Sequence, residues 1–150
     1  MRSPVIATPD EQLRPEPIAD PTTAFYWEGA AAGELRVQTC DACQHVQFPP
    51  NVVCENCRND HLGYRVSSGR GTLYAKTVMH QAFHPAFAES LPVALCLVDL
   101  DDAPGIRLLT NLVDVDAAQV ETGAALRVVF EQRGASVLPQ FTAAGQGGGR

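Results

Sequence analysis

No segment of this chain is an apolar run long enough to span a bilayer. Its opening stretch, "MRSPVIATPDEQLRPEP", lacks the continuous apolar core of a secretory signal, so the expected location is the cytoplasm, with no membrane partner. Positive charge is also scarce: 11 lysines and arginines face 17 acidic residues, a net charge of −6. Phosphate contacts depend on lysine and arginine, so this balance argues against a nucleic-acid binder. Arg65, Arg70, Lys76 and Arg107 are scattered along the chain, and the acidic "DLDDAPG" follows one of its best strands. Gly69–Arg70–Gly71 lacks the spaced glycines and Lys-Ser/Thr of a phosphate loop and reads as a turn. No serine, histidine and acid set shows a catalytic arrangement.

What the chain does have is a cysteine cluster. "CDACQHVQFPPNVVCENC" runs from Cys40 to Cys57 and holds four of the five cysteines, as two Cys-x2-Cys pairs. Reducing cytoplasm keeps thiols free, so pairs at this spacing read as metal ligands rather than disulfides. Each pair forms a tight knuckle that turns two sulfurs toward one ion, and two knuckles supply the four tetrahedral thiolates that zinc prefers. Cys40, Cys43, Cys54 and Cys57 are therefore expected to hold one structural Zn2+ per chain. A closed tetrathiolate shell leaves no place for water or substrate; iron fits the same donor set, and spacing does not separate the two. His45 and His61 lie close by but are not needed as ligands. "LRVQ" and "QHVQF" read as the short strands of a zinc ribbon.

The fifth cysteine, Cys96, sits inside "VALCLVDL" and reads as a small core hydrophobe. A catalytic thiol needs a nearby base, and His80 and His84 are the only conceivable ones in its half of the chain.

Around these features the composition divides the chain. Residues 1–20, with four prolines, read as an extended arm, and "TAAGQGGGR" (142–150) as a flexible tail. "DPTTAFYWEGAAAGEL" suits a helix over 21–34, with Asp20 or Thr22 as cap and Gly33 at its end. Its rings Phe25, Tyr26 and Trp27 are consecutive and cannot share one helix face, so at least one packs on another element or another chain. Residues 35–62 form the ribbon. From 63 to 141 the pieces "GYRVSSGRGTLYAKTVMH", "LPVALCLVDL", "IRLLTNLVDV", "AALRVVFEQRG" and "SVLPQFTAA" read as short strands of a small closed barrel, with a brief helical turn at "DAAQV". The fold class is mainly β: an N-terminal helix, a rubredoxin-like zinc ribbon, then an oligonucleotide/oligosaccharide-binding (OB) barrel. "KTVMHQAFHPAFAESLP" interrupts two strands with His80, Phe83, His84 and Phe87, which mark it as a partner surface or the wall of a ligand channel.

Together, "FYWEGAAAGELRVQTCDACQHVQFPPNVVCENC", "GRGTLY…HPAF", "PVALCLVDLDDAPGIRLLTNLVDV" and "VVFEQR…LPQF" resemble the DUF35 family of acyl-CoA-associated zinc-ribbon/OB-fold proteins. The likeness covers about residues 20–141 and retains all four cysteines. It implies a non-catalytic accessory subunit that assembles with a thiolase-superfamily enzyme: an aldolase of steroid side-chain degradation, a thiolase or an acyltransferase. It implies further a heterotetramer around a partner dimer, with acyl-CoA at the interface. Helix Thr23–Ala32, with Phe25, Tyr26 and Trp27, the ribbon, and the His80–Phe87 loop are the expected contact surfaces. A nucleic-acid-binding ribbon and an independent acyl-CoA hydrolase are the alternatives.

Overall fold

A computed structural model describes residues 5–7 and 14–145. Two sheets meet around one core. Helix α1 (Ala24–Ala31) leads into strand β2 (Leu35–Cys40), which is flanked by β3 (Val46–Gln47) and β4 (Leu62–Ser67) in a three-stranded antiparallel sheet. The second sheet holds β1 (Val5–Ala7), β5 (Arg70–Met79), β6 (Val93–Leu100), β7 (Arg107–Leu112), β8 (Ala125–Arg133) and β9 (Ser136–Ala143). Its strand order is β1-β8-β5-β6-β7-β9, and β8 also pairs with β9. Strands β5 to β9 thus close into a five-stranded barrel, the size of an OB barrel. Closure removes the edges that an open sheet would leave bare. A bulge between Leu73 and Ala75 lets β5 curve, so that its start pairs with β8 while its length pairs with β6.

The helix is short for sequence reasons. Asp20 accepts hydrogen bonds from the backbone N–H of Thr22 and of Thr23, each at 2.8 Å, and so organises the first turn from outside it. Thr23, not Asp20 or Thr22, occupies the N-cap position. Gly33, at φ +76°, lets the Glu34 N–H reach back to the Gly29 carbonyl at 2.8 Å and stop the helix.

One core serves both sheets. Leu35 and Val37 of β2 are buried together with Leu73, Val98, Leu126, Phe130 and Phe141 of the barrel. The ribbon therefore borrows barrel contacts for its hydrophobic side, and the metal site has to shape only its outer end.

Several boundaries differ from those read off the sequence. Strand β4 belongs to the ribbon sheet, so pairing with the ribbon extends to Ser67 rather than ending at residue 62. Strand β9 runs through Ala143, two residues into the expected tail; residues 146–150 of that tail lie outside the described residues. The proline-rich N-terminus contains β1, which pairs in parallel with β8. Beyond it, Glu16 accepts from Ala135 N–H and Ser136 Oγ, each at 3.0 Å. Local composition does not reveal these contacts because their partners lie more than a hundred residues away. The rest of the arm, residues 1–4 and 8–13, lies outside the described residues. The expected turn at "DAAQV" is a short 3-10 turn, Ala117–Gln119, and a second one, Pro85–Ser90, orders the loop before β6.

Candidate metal centre

The two knuckles are built alike. In the first, Cys40 N–H donates to the His45 carbonyl (2.9 Å) and Gln44 N–H to the Cys40 carbonyl (2.9 Å). In the second, Cys54 N–H donates to the Asn59 carbonyl (2.8 Å) and Arg58 N–H to the Cys54 carbonyl (2.9 Å). Gln44 (φ 61°) and Arg58 (φ 65°) follow the second cysteine of each pair in the left-handed region, which turns the chain back on itself. Repetition of one local geometry at both pairs brings four sulfurs to one point.

Those four Sγ atoms all lie within 4.8 Å of one another, with Cys40–Cys57 at 3.6 Å and Cys43–Cys54 at 3.7 Å. Bonds of about 2.3 Å from a central zinc to a tetrahedron of sulfurs put neighbouring sulfurs roughly 3.8 Å apart. A disulfide needs about 2.05 Å. The donor set and spacing therefore fit a tetrahedral thiolate-bound metal. Cys40 and Cys54 are buried, whereas Cys43 and Cys57 face outward.

Hydrogen bonding divides the exposed pair. The Asn56 side-chain amide, then the His45 N–H, pull the Cys43 thiol down to about 6. At Cys57 the Asn59 N–H also favours the thiolate, but hydrogen bonding to Cys43, burial, Cys40 and Cys54 outweigh it and push that thiol up to about 12. Four like charges this close require a cation between them, so metal binding here is coupled to loss of protons.

A polar scaffold holds the knuckles, and it is not evident from cysteine spacing. Gln47 Nε2 donates to Gln38 Oε1 (2.7 Å) and to the Val53 carbonyl (3.0 Å), and Gln47 Oε1 accepts from Glu55 N–H (2.9 Å). Gln38 in turn accepts from Asn51 N–H and donates to its carbonyl, each at 2.9 Å. Both glutamines are buried with their partners supplied. The available signal was a glutamine after a valine on both β2 and β3. His45, not a ligand, bonds Glu55 across the knuckles at 2.8 Å. His61 is exposed.

The three consecutive rings of α1 separate as helix geometry requires. Phe25 stacks on Tyr64 of β4 with centroids 5.7 Å apart. Tyr26 packs against Phe48 at 5.5 Å, and Trp27 meets Tyr26 edge-on at 4.9 Å. Burial pushes the Tyr26 hydroxyl up to about 12.

In the second expected contact region, Phe83 is 81 % exposed and His80 and His84 are exposed, while Phe87 is half-buried beneath Arg14. His84 Nδ1 accepts from Ala86 N–H at 3.2 Å and caps the 3-10 turn. Cys96 is 1 % exposed, and burial pushes its thiol up to about 11. Among the described residues it has no hydrogen bond to a histidine, so the geometry does not assemble a Cys–His pair. No helix of the described residues is long and apolar enough to cross a membrane.

Comparison with known proteins gives the same order of modules. Residues 27–62 match the rubredoxin-like zinc ribbon domain of ChsH2, and residues 64–131 match the ChsH2 C-terminal OB-fold domain. A probable enoyl-CoA hydratase alpha subunit of Thermomonospora curvata is 35 % identical over 111 residues, 74 % of this chain and 34 % of that protein. The 3-oxo-4,17-pregnadiene-20-carboxyl-CoA hydratase alpha subunit of Mycobacterium tuberculosis is 34 % identical over 122 residues, 81 % of this chain and 37 % of that protein. The chain thus spans only about a third of the length of these two relatives. In contrast, a chain of the solved Ltp2–ChsH2(DUF35) aldolase is matched over 99 % of its length and 86 % of this one, with TM-score 0.78 and 30 % identity. The chain belongs to the DUF35/ChsH2 family of zinc-ribbon and OB-fold proteins.

Proposed function

We propose that this chain is a non-catalytic accessory subunit that assembles with a thiolase-superfamily enzyme acting on acyl-CoA thioesters, in steroid side-chain degradation. The observation that carries this reading is the likeness, over 86 % of this chain and 99 % of the other, to a chain of the Ltp2–ChsH2(DUF35) aldolase. Likeness to a steroid acyl-CoA hydratase subunit supports the substrate class.

The chemistry of the chain itself agrees with a supporting role. Cys40, Cys43, Cys54 and Cys57 would hold one Zn2+, which fixes the ribbon and offers no open coordination position. The isolated thiol is buried and the loop histidine His84 is spent on a backbone cap. Turnover then resides in the partner. Helix α1 carries one charged residue, Glu28, in "AFYWEGAA", so its apolar side chains extend around the axis and not only toward the core. Phe25, Trp27 and the exposed Phe83 are our candidates for contact with the enzyme. His80 and Phe87 lie on the same loop as Phe83, where an acyl-CoA at the interface would pass. Two copies flanking a symmetric enzyme dimer form the expected heterotetramer in the cytoplasm.

Affinity capture of the chain from its native cell extract tests the reading. A stoichiometric thiolase-like protein and about one zinc per chain are expected. Capture without such an enzyme, or acyl-CoA turnover by the purified chain alone, overturns it.

A further inference from the structure

The ribbon sheet ends in a bare edge. In an antiparallel pair, directly opposed residues alternate between those that bond each other and those whose backbone groups point away. Cys40 N–H bonds the His45 carbonyl, which directs the even-numbered residues of β2 toward β3. Asp41 N–H bonds the His61 carbonyl, which directs the odd-numbered ones toward β4. With Val37 opposite Arg65 and Gln38 opposite Tyr64, Gly63, Arg65 and Ser67 face β2. The N–H and C=O groups of Leu62, Tyr64 and Val66 therefore face outward. Strand β4 pairs with β2 alone.

Strand β4 is the longest described strand with one side wholly unpaired. Strand β3 offers two residues and β1 three, while each of β5 to β9 has a neighbour on both sides. Proteins usually blunt such edges with proline, lysine or a covering loop. Here "LGYRVS" contains neither residue type, and Tyr64 and Val66 are 47 % and 52 % exposed. Beside them a groove of about 390 Å³ is lined by Phe25, Val52, Leu62 and Tyr64.

We propose that the outer edge of β4 is a docking site for an extended strand of a partner protein, one carrying an acidic residue between two apolar ones. Backbone groups at 62, 64 and 66 supply the ladder. Apolar side chains opposite Tyr64 and Val66 lie on the face that carries Phe25. The acidic side chain falls on the other face, beside Arg65, whose guanidinium donates to the Asp102 backbone carbonyl and has no ion-pair partner among the described residues. Charge disfavours a second copy of this chain as the occupant. Two-fold pairing of β4 with itself through Tyr64 brings two Arg65 side chains onto one face as diagonal neighbours, roughly 7–8 Å apart.

The probe is a labelled seven-residue peptide alternating valine and glutamate, with a valine–lysine peptide as control, added to the zinc-loaded full chain. Saturable binding of the glutamate peptide is expected, with new amide-exchange protection at Tyr64 and Val66 and none gained at Gly63 or Arg65. Val66→Pro removes an outward donor without touching the β2 ladder and is expected to weaken binding at least tenfold, at unchanged zinc content. Arg65→Glu, which leaves the backbone intact, should reverse the preference toward the lysine peptide. Absence of binding, protection elsewhere, or indifference of both variants overturns the proposal. Concentration-dependent dimers that protect Tyr64 and Val66 without peptide also overturn it, by assigning the edge to a second copy. These outcomes do not depend on which enzyme the chain serves, so this proposal and the thiolase-like partner stand or fall separately.

Discussion

Arg36 of β2 lies over the ring of Tyr64 on β4, its guanidinium carbon 4.4 Å from the ring centroid. The same ring is stacked on Phe25 at an interplanar angle of 7°. Arg36 also bonds Glu34 at 2.9 Å and reaches the Phe25 carbonyl at 3.4 Å. One exposed tyrosine thus joins the helix to the ribbon's outer strand.

Replacing Tyr64 by alanine removes an aromatic pair and a cation–π contact, together worth about 1–2 kcal/mol. Trp27, the single tryptophan, packs against Tyr26 in the same helix and reports on its docking. Thermal unfolding of Tyr64→Ala should begin at lower temperature, with altered Trp27 emission while the barrel remains folded. Unchanged Trp27 emission and stability would show that α1 is held by its inner face alone.

Cys40→Ser and Cys57→Ser test the metal. Structural zinc contributes on the order of 10 kcal/mol to small ribbons, far more than one thiol's packing. Both variants should lose stoichiometric zinc, and amide exchange should rise first across the knuckles. Because Leu35 and Val37 enter the shared core, loss of the ribbon is also expected to lower barrel stability. A serine variant that keeps its fold and its partner but loses turnover of the complex would falsify the structural role.

The four-cysteine cluster was legible because spacing within a knuckle is local and the sulfur chemistry is specific. Barrel strands such as "VALCLVDL" were legible from short β-rich runs between turns. Three features were not. The placement of β4 depends on pairing with β2, more than twenty residues earlier, and "GYRVSS" alone does not name its partner. Strand β1 exists through pairing with β8, at the far end of the chain. The Gln38–Gln47 lattice needs two strands in register before either amide has a partner.

Acid should weaken the turn between β6 and β7. Asp102 accepts from Ser67 Oγ (2.7 Å) and Ser68 N–H (2.5 Å). Burial raises its carboxyl, but the Ser68 and Ser67 bonds prevail and hold it below its ordinary 3.8. A depressed folded value means that the contribution is present above pH 3.8 and is lost as pH falls through the folded value. The stability difference between the native chain and Asp102→Asn should therefore shrink in acid below about pH 4. Partial exposure limits the effect at neutral pH to about 1 kcal/mol or less. A difference that grows in acid contradicts the assignment.

Glu131 bonds Arg133 at 3.1 Å, approaches Arg14 at 3.9 Å and accepts from Gln140. Side chains of all three ions are at most 14 % exposed. Removing the carboxylate strands two guanidiniums in a poorly solvated place, so Glu131→Ala should cost about 3–5 kcal/mol by denaturant titration. Replacing Arg14 in the same background should recover part of that loss, since one stranded charge goes with it. If it recovers nothing, the arm is not electrostatically tied to β8.

Phe83 separates partner binding from folding more cleanly than the helix rings do. At 81 % exposure it buries almost nothing within its own chain, so Phe83→Ala should change stability by less than about 0.5 kcal/mol. Exposed aromatics that serve as interface anchors cost about 2 kcal/mol or more of binding when truncated, roughly thirtyfold in affinity. Titration of native and variant chains against the purified enzyme partner is the measurement. A thirtyfold loss at constant melting temperature places the His80–Phe87 loop in the interface. Equal affinity removes that loop and leaves α1 and the ribbon, where Phe25→Ala and Trp27→Ala must then carry the loss; unchanged assembly in all three variants rejects these contact surfaces altogether.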